Sequence, residues 1–127
     1  MKQTRSFKHT ADSVTGARRF VKEALGDVPV EVRDAVALMV SELASNCIRH
    51  TTGGFDLTIT QASDQIRVEA TDCGDGEPRM RTPGPTDPSG RGLRIIDMFS
   101  TAWGYERRPG RDKTVWFSLS LDAANAA

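Results

Sequence analysis

Residues 55–72 read FDLTITQASDQIRVEATD. Apolar and polar residues alternate on both sides of Ala62-Ser63-Asp64, and a period of two places every second side chain on the same face of a pleated strand. The stretch therefore predicts two strands, Phe55–Gln61 and Gln65–Asp72, closed into a hairpin by residues that suit a tight reversal. A hairpin is antiparallel, and its single apolar face needs a covering layer.

Candidates for that layer lie upstream. Val14, Ala17, Phe20, Val21, Ala24 and Leu25 recur at three-to-four spacing, which predicts an amphipathic helix over 13–25 with Asp12 or Ser13 as its cap and Gly26 as its stop. Asp27 and Pro29 open a second helix, whose apolar stripe Val32, Val36, Met39, Leu43 and Cys47 runs as far as His50, and Gly53-Gly54 ends it. Downstream of the hairpin, residues 73–90 read CGDGEPRMRTPGPTDPSG, too rich in proline and glycine for an element interior. A structureless stretch longer than about 12–15 residues in a compact domain is usually functional or disordered, so 73–90 is a candidate lid. A short helix over 93–99 follows, then strands over 101–106 and 114–121 joined at Arg108-Pro109-Gly110-Arg111. The expected architecture is α+β: a two-layer sandwich with a mostly antiparallel sheet and helices on one face, in a single domain spanning 1–127.

Composition limits what such a domain does. Lys plus Arg and Asp plus Glu stand at 17 each, so no net field recruits nucleic acid or an anionic membrane, and recognition has to come from a local site. Cys47 and Cys73 show no disulfide or zinc spacing; with His9 and His50 they lack any C-x-x-C pair. The opening MKQTRSFKHT lacks the apolar core of a signal peptide, and the expectation is a reduced, cytoplasmic protein. Trp103, Tyr105, Trp116 and Phe117 in the last hairpin read as packing residues rather than a base-stacking platform, and Arg107, Arg108, Arg111 and Lys113 read as solvated charges around a turn.

Three short motifs carry candidate chemistry. Inside the second helix, residues 41–51 read SELASNCIRHT. At about 100° per residue, Glu42 and Asn46 project about 40° apart on the flank of the stripe centred on Leu43. A carboxylate and a carboxamide partly desolvated together suit a hydrated cation or a proton transfer; two solvated surface residues are the plain alternative. Asp72 continues the buried parity of Ile66, Val68 and Ala70, so it needs a donor, which the exocyclic amine of an adenine would supply. Gly74 and Gly76 behind it would let the backbone come close to a ligand, or merely make a turn. Gly90-Arg91-Gly92-Leu93 lies where the third helix begins, at backbone N–H groups that favour an anion, or forms a simple hinge. Neither a Walker loop, a dinucleotide fingerprint nor a calcium loop is present.

Taken together and in order, Glu42-Leu43-x-x-Asn46, Asp72-x-Gly74-x-Gly76 and Gly90-x-Gly92-Leu93 resemble the N, G1 and G2 boxes of the GHKL ATPases, which include gyrase and the histidine kinases. The stretch SELASNCIRHT, the opening SVTGARRFV and the ending KTVWFSL are similar to the small actinobacterial regulators of the anti-sigma factor and serine-protein kinase type. This resemblance implies a Bergerat-type fold that binds ATP with Mg2+. It implies Asn46 as the Mg2+ ligand, Glu42 as the general base for an attacking hydroxyl, and Asp72 as the acid that reads adenine. Gly74 and Gly76 would flank the base, and Gly90, Arg91, Gly92 and Leu93 would wrap the phosphates under the lid. The activity implied is a serine/threonine protein kinase acting on a small antagonist protein, with a sigma factor as a further partner and a homodimer as the assembly. A nucleotide-gated binding module without transfer is the alternative. The catalytic domain of a histidine kinase fits less well, since the chain offers no dimerisation helix pair carrying a phosphoacceptor histidine.

Overall fold

A computed structural model of the chain describes residues 1–50, 53–72, 88–107 and 112–121, the side chains at 50, 88–93 and 107 excepted. The elements run β1 (Lys2–Phe7), α1 (Asp12–Ala24), α2 (Val30–His50), β2 (Phe55–Gln61), β3 (Gln65–Asp72), α3 (Pro88–Phe99), β4 (Ala102–Arg107) and β5 (Lys113–Ser120). The strands form one sheet in the order β1-β2-β3-β5-β4, and every neighbouring pair is antiparallel. The fold is the α+β sandwich that the alternation of 55–72 predicts.

Period-two patterning decides which face is covered. Leu57 and Ile59 of β2, Ile66, Val68 and Ala70 of β3, and Val115 and Phe117 of β5 are all buried and share one core with Ala17, Phe20 and Val21 of α1, Val36, Met39, Val40, Leu43 and Cys47 of α2, and Ile96 of α3. Each large apolar side chain buried there contributes roughly 1.5–3 kcal/mol. The opposite face is polar: Thr4 and Thr58 share a hydrogen bond, as do Thr71 and Thr114, and the Arg67 guanidinium lies 4.2 Å above the Trp116 ring. Gly104, paired with Trp116 on β4, is where a side chain would press on that ring. Of the four aromatics, Phe117 is fully buried and Trp103 half-buried, its indole N–H donating to Asp97 Oδ1 at 2.8 Å and so tying β4 to α3. Tyr105 departs from the packing expectation and is exposed.

Other departures have local causes. Strand β1 is not foreshadowed by the sequence, because KQTRSF carries no apolar alternation and is exposed apart from Phe7. What holds it is its ladder to β2, from Lys2 opposite Thr60 to Phe7 opposite Phe55, and the Phe7 ring, which stacks on Phe55 with centroids 5.4 Å apart and tilts against Phe20. Gly54 permits the close approach there, since a Cβ at that position would run into the Phe7 carbonyl oxygen. Helix α1 begins at Asp12 with no side-chain cap, so neither Asp12 nor Ser13 caps it; the buried Ser13 hydroxyl instead donates to the Lys8 carbonyl at 2.6 Å. At its other end, Arg33 of α2 supplies the missing donors: its guanidinium reaches the carbonyls of Lys22, Leu25 and Gly26. Helix α3 starts at Pro88, inside the predicted loop, rather than at Leu93. Proline at a first helical position loses no hydrogen bond, because that N–H has no intrahelical acceptor. The remainder of the candidate lid, 73–87, lies outside the described residues.

Candidate functional site

Strand β3 ends and β5 begins at the same edge of the core, where Asp72 and Lys113 stand opposite one another in the ladder. Both are buried, at 4% and 3% exposure. Asp72 takes the covered face by continuing Ile66, Val68 and Ala70, as its parity predicts. Lys113 is a correction. The sequence reads it as a solvated charge at a turn, yet stepping back by two from Phe117 and Val115 puts it on the covered face. The alternation of KTVWFSL carries that signal, against the general preference of lysine for the surface.

Helix α2 lies against this end of the sheet. Its rotation is fixed by the buried stripe of Val36, Met39, Val40, Leu43 and Ala44, which leaves Cys47 facing the strand ends. Burial pushes the Cys47 thiol far above its ordinary range; the negative charge of Asp72 and a hydrogen bond to its side chain add to the shift, and the positive charge of Lys113 opposes it. The thiol is thus a protonated donor to Asp72 and not a nucleophile. Cys47, Asp72 and Lys113 form a connected polar floor at the rim of the core.

Asn46 precedes Cys47 on the helix and is buried at 7% exposure. Its carboxamide oxygen is enclosed and, among the described residues, has no hydrogen-bond partner. Leaving such a group unsatisfied costs about 1–3 kcal/mol, a loss a fold tolerates where the atom has a partner of another kind. Glu42, one turn earlier, is half-buried. The pair therefore sits as the helical spacing predicts, with the amide deeper than the carboxylate. A desolvated carbonyl oxygen next to a carboxylate is a donor set of the kind a hard divalent cation takes.

The remaining sequence candidates divide. Gly74 and Gly76 lie outside the described residues. Gly90, Arg91, Gly92 and Leu93 fall within the first turns of α3, not in a loop before it, and no acidic residue occupies the first turn. The helix packs against α2, so its N-terminal N–H groups belong to the same layer as Glu42 and Asn46. Among the described residues no helix is long and apolar enough to cross a membrane.

An antiparallel sheet covered by helices on one face, with a carboxylate at a strand end and an enclosed amide on the long helix, describes an ATPase domain of the histidine kinase type. The chain matches the family of histidine kinase-like ATPase domains over residues 7–119 and belongs to it. Membership implies that it binds ATP. No curated protein matches the chain.

Proposed function

We propose that this domain is an ATP- and Mg2+-dependent serine/threonine protein kinase that phosphorylates a small antagonist protein, and that it sequesters a sigma factor when that antagonist is absent. The observation that carries the reading is the enclosed Asn46 Oδ1, without a hydrogen-bond partner among the described residues, one helical turn from the half-buried Glu42. Asn46 would hold the Mg2+, whose charge would neutralise the phosphate oxygens as the γ-phosphoryl group leaves. Asp72 would accept the exocyclic amine of the adenine at the far end of the nucleotide. The N-terminal N–H groups of α3, with Gly90 and Gly92 beside them, would receive the phosphates.

Glu42 has the deciding role. It is half-buried, so a hydroxyl of a partner could reach it, and with Mg2+ held by Asn46 one turn away it would stand near the γ-phosphate. In the transfer the hydroxyl oxygen bonds to phosphorus, the bond from phosphorus to the β–γ bridging oxygen breaks, ADP leaves and the hydroxyl proton passes to Glu42. Glu42→Gln keeps the shape of the helix and removes the base. Single-turnover transfer from ATP to the antagonist should fall by roughly 10²–10⁴-fold with nucleotide affinity unchanged, the usual share of a general base. Transfer within a few-fold of the wild type would remove Glu42 from the mechanism. Absence of transfer by the wild type, with ATP bound, would leave a nucleotide-gated binding module instead.

A further inference from the structure

His9 belongs neither to the core nor to the site described above, yet its imidazole reaches from the β1–α1 loop to the Ile48 carbonyl, with Nε2 at 2.7 Å. A carbonyl oxygen only accepts, so Nε2 carries the proton and donates. The acceptor lies in the last turn of α2, whose carbonyls have no donor within the helix, and that turn begins at Asn46. Water serves an exposed carbonyl as well, so what His9 supplies is a fixed location. The loop that carries it is itself braced: the Ser13 hydroxyl and the Thr10 N–H both donate to the Lys8 carbonyl, at 2.6 and 2.9 Å, and the Ser13 N–H donates to the Thr10 carbonyl at 3.0 Å. Phe7, two residues before His9, stacks on Phe55 of β2. The bond therefore ties the end of α2, where helices ordinarily fray, to a loop anchored on the sheet. We infer that His9 is a positioning residue for the Mg2+ ligand: through Ile48 it holds the last turn of α2, and with it the Asn46 oxygen, in place.

The inference rests on the reading of Asn46 as the Mg2+ ligand, and the experiment separates the two. ATP is titrated calorimetrically into the full chain, with Mg2+ and with EDTA, for the wild type, His9→Gln and His9→Asn. His9 is exposed, so neither variant opens a cavity in the core. The glutamine amide nitrogen stands as many bonds from Cβ as histidine Nε2 does, whereas the asparagine amide nitrogen stands one bond closer and falls short. His9→Gln should keep the gain in affinity that Mg2+ gives the wild type, and His9→Asn should lose about 3- to 10-fold of it, the size of one hydrogen bond between neutral groups, with affinity in EDTA unchanged. In the nucleotide-free proteins, the amides of residues 46–50 should exchange hydrogen about 3- to 10-fold faster in His9→Asn than in the wild type, and at the wild-type rate in His9→Gln. A full Mg2+ gain in His9→Asn would overturn the role of His9, as would a loss equal in Mg2+ and EDTA, a loss that His9→Gln fails to restore, or unchanged exchange in His9→Asn. Absence of any Mg2+ gain in the wild type would overturn the reading of Asn46, and this inference with it.

Discussion

Asp72, the acid proposed to read the base, is coupled to the fold. Its carboxylate is buried opposite Lys113 and receives the Cys47 thiol, so it is engaged before any nucleotide arrives. Asp72→Asn therefore removes the charge that accepts from the Cys47 thiol and stands opposite the buried Lys113 in the ladder, and leaving a buried donor without its acceptor costs about 1–3 kcal/mol. We expect a loss of that order in urea denaturation, with part of it restored in Asp72→Asn/Lys113→Met, where neither charge remains; full stability in the single variant would show that the two charges are not coupled. Asp72 itself was legible in the sequence because parity carries a strand's buried face to its last residue. Glu42 and Asn46 were legible because helical spacing fixes their separation and Leu43 fixes their distance from the core. Lys113 obeys the same parity as Asp72, but its chemistry argued for the surface. Here geometry outweighs residue type, since an opposite charge waits on the facing strand.

Elements joined by local signals were readable, and those held by distant partners were not. The hairpin β2–β3 forms with Gln61 opposite Ile66 and Phe55 opposite Asp72, as its alternation and turn require. Strand β1 carries no such signal, because its ladder is to residues 48 to 58 positions away and its one anchor, Phe7, finds Phe55 and Phe20 only after folding. The start of α3 at Pro88 is hidden in the sequence because proline and glycine argue against a helix interior but are compatible with a first turn. The C-terminus of α1 has a similar hidden partner in Arg33. Its guanidinium serves the last carbonyls of α1 from the neighbouring helix and so fixes the angle of the two. Arg33→Met should lower the unfolding free energy by about 1.5–3 kcal/mol, the range for hydrogen bonds to charged groups, and leave ATP affinity unchanged because the site lies at the other end of α2. A change in affinity without a change in stability would contradict that division of labour.

In the whole molecule, the sandwich places a carboxylate from a strand end and an amide from the long helix on the same side of one core, in a chain that belongs to the family of histidine kinase-like ATPase domains. The central claim is that the enclosed Asn46 oxygen is kept unpartnered for a cation that arrives with ATP. Asn46→Ala tests it, since truncation removes the enclosed oxygen, which makes no hydrogen bond to the described residues. The decisive measurement is calorimetric titration of ATP into the wild type and Asn46→Ala, each with Mg2+ and with EDTA. The account predicts that the two proteins bind ATP alike in EDTA and that the gain from Mg2+, present in the wild type, is lost in the variant. A Mg2+ gain that survives in full in Asn46→Ala, or an equal loss of affinity with and without the metal, would contradict it.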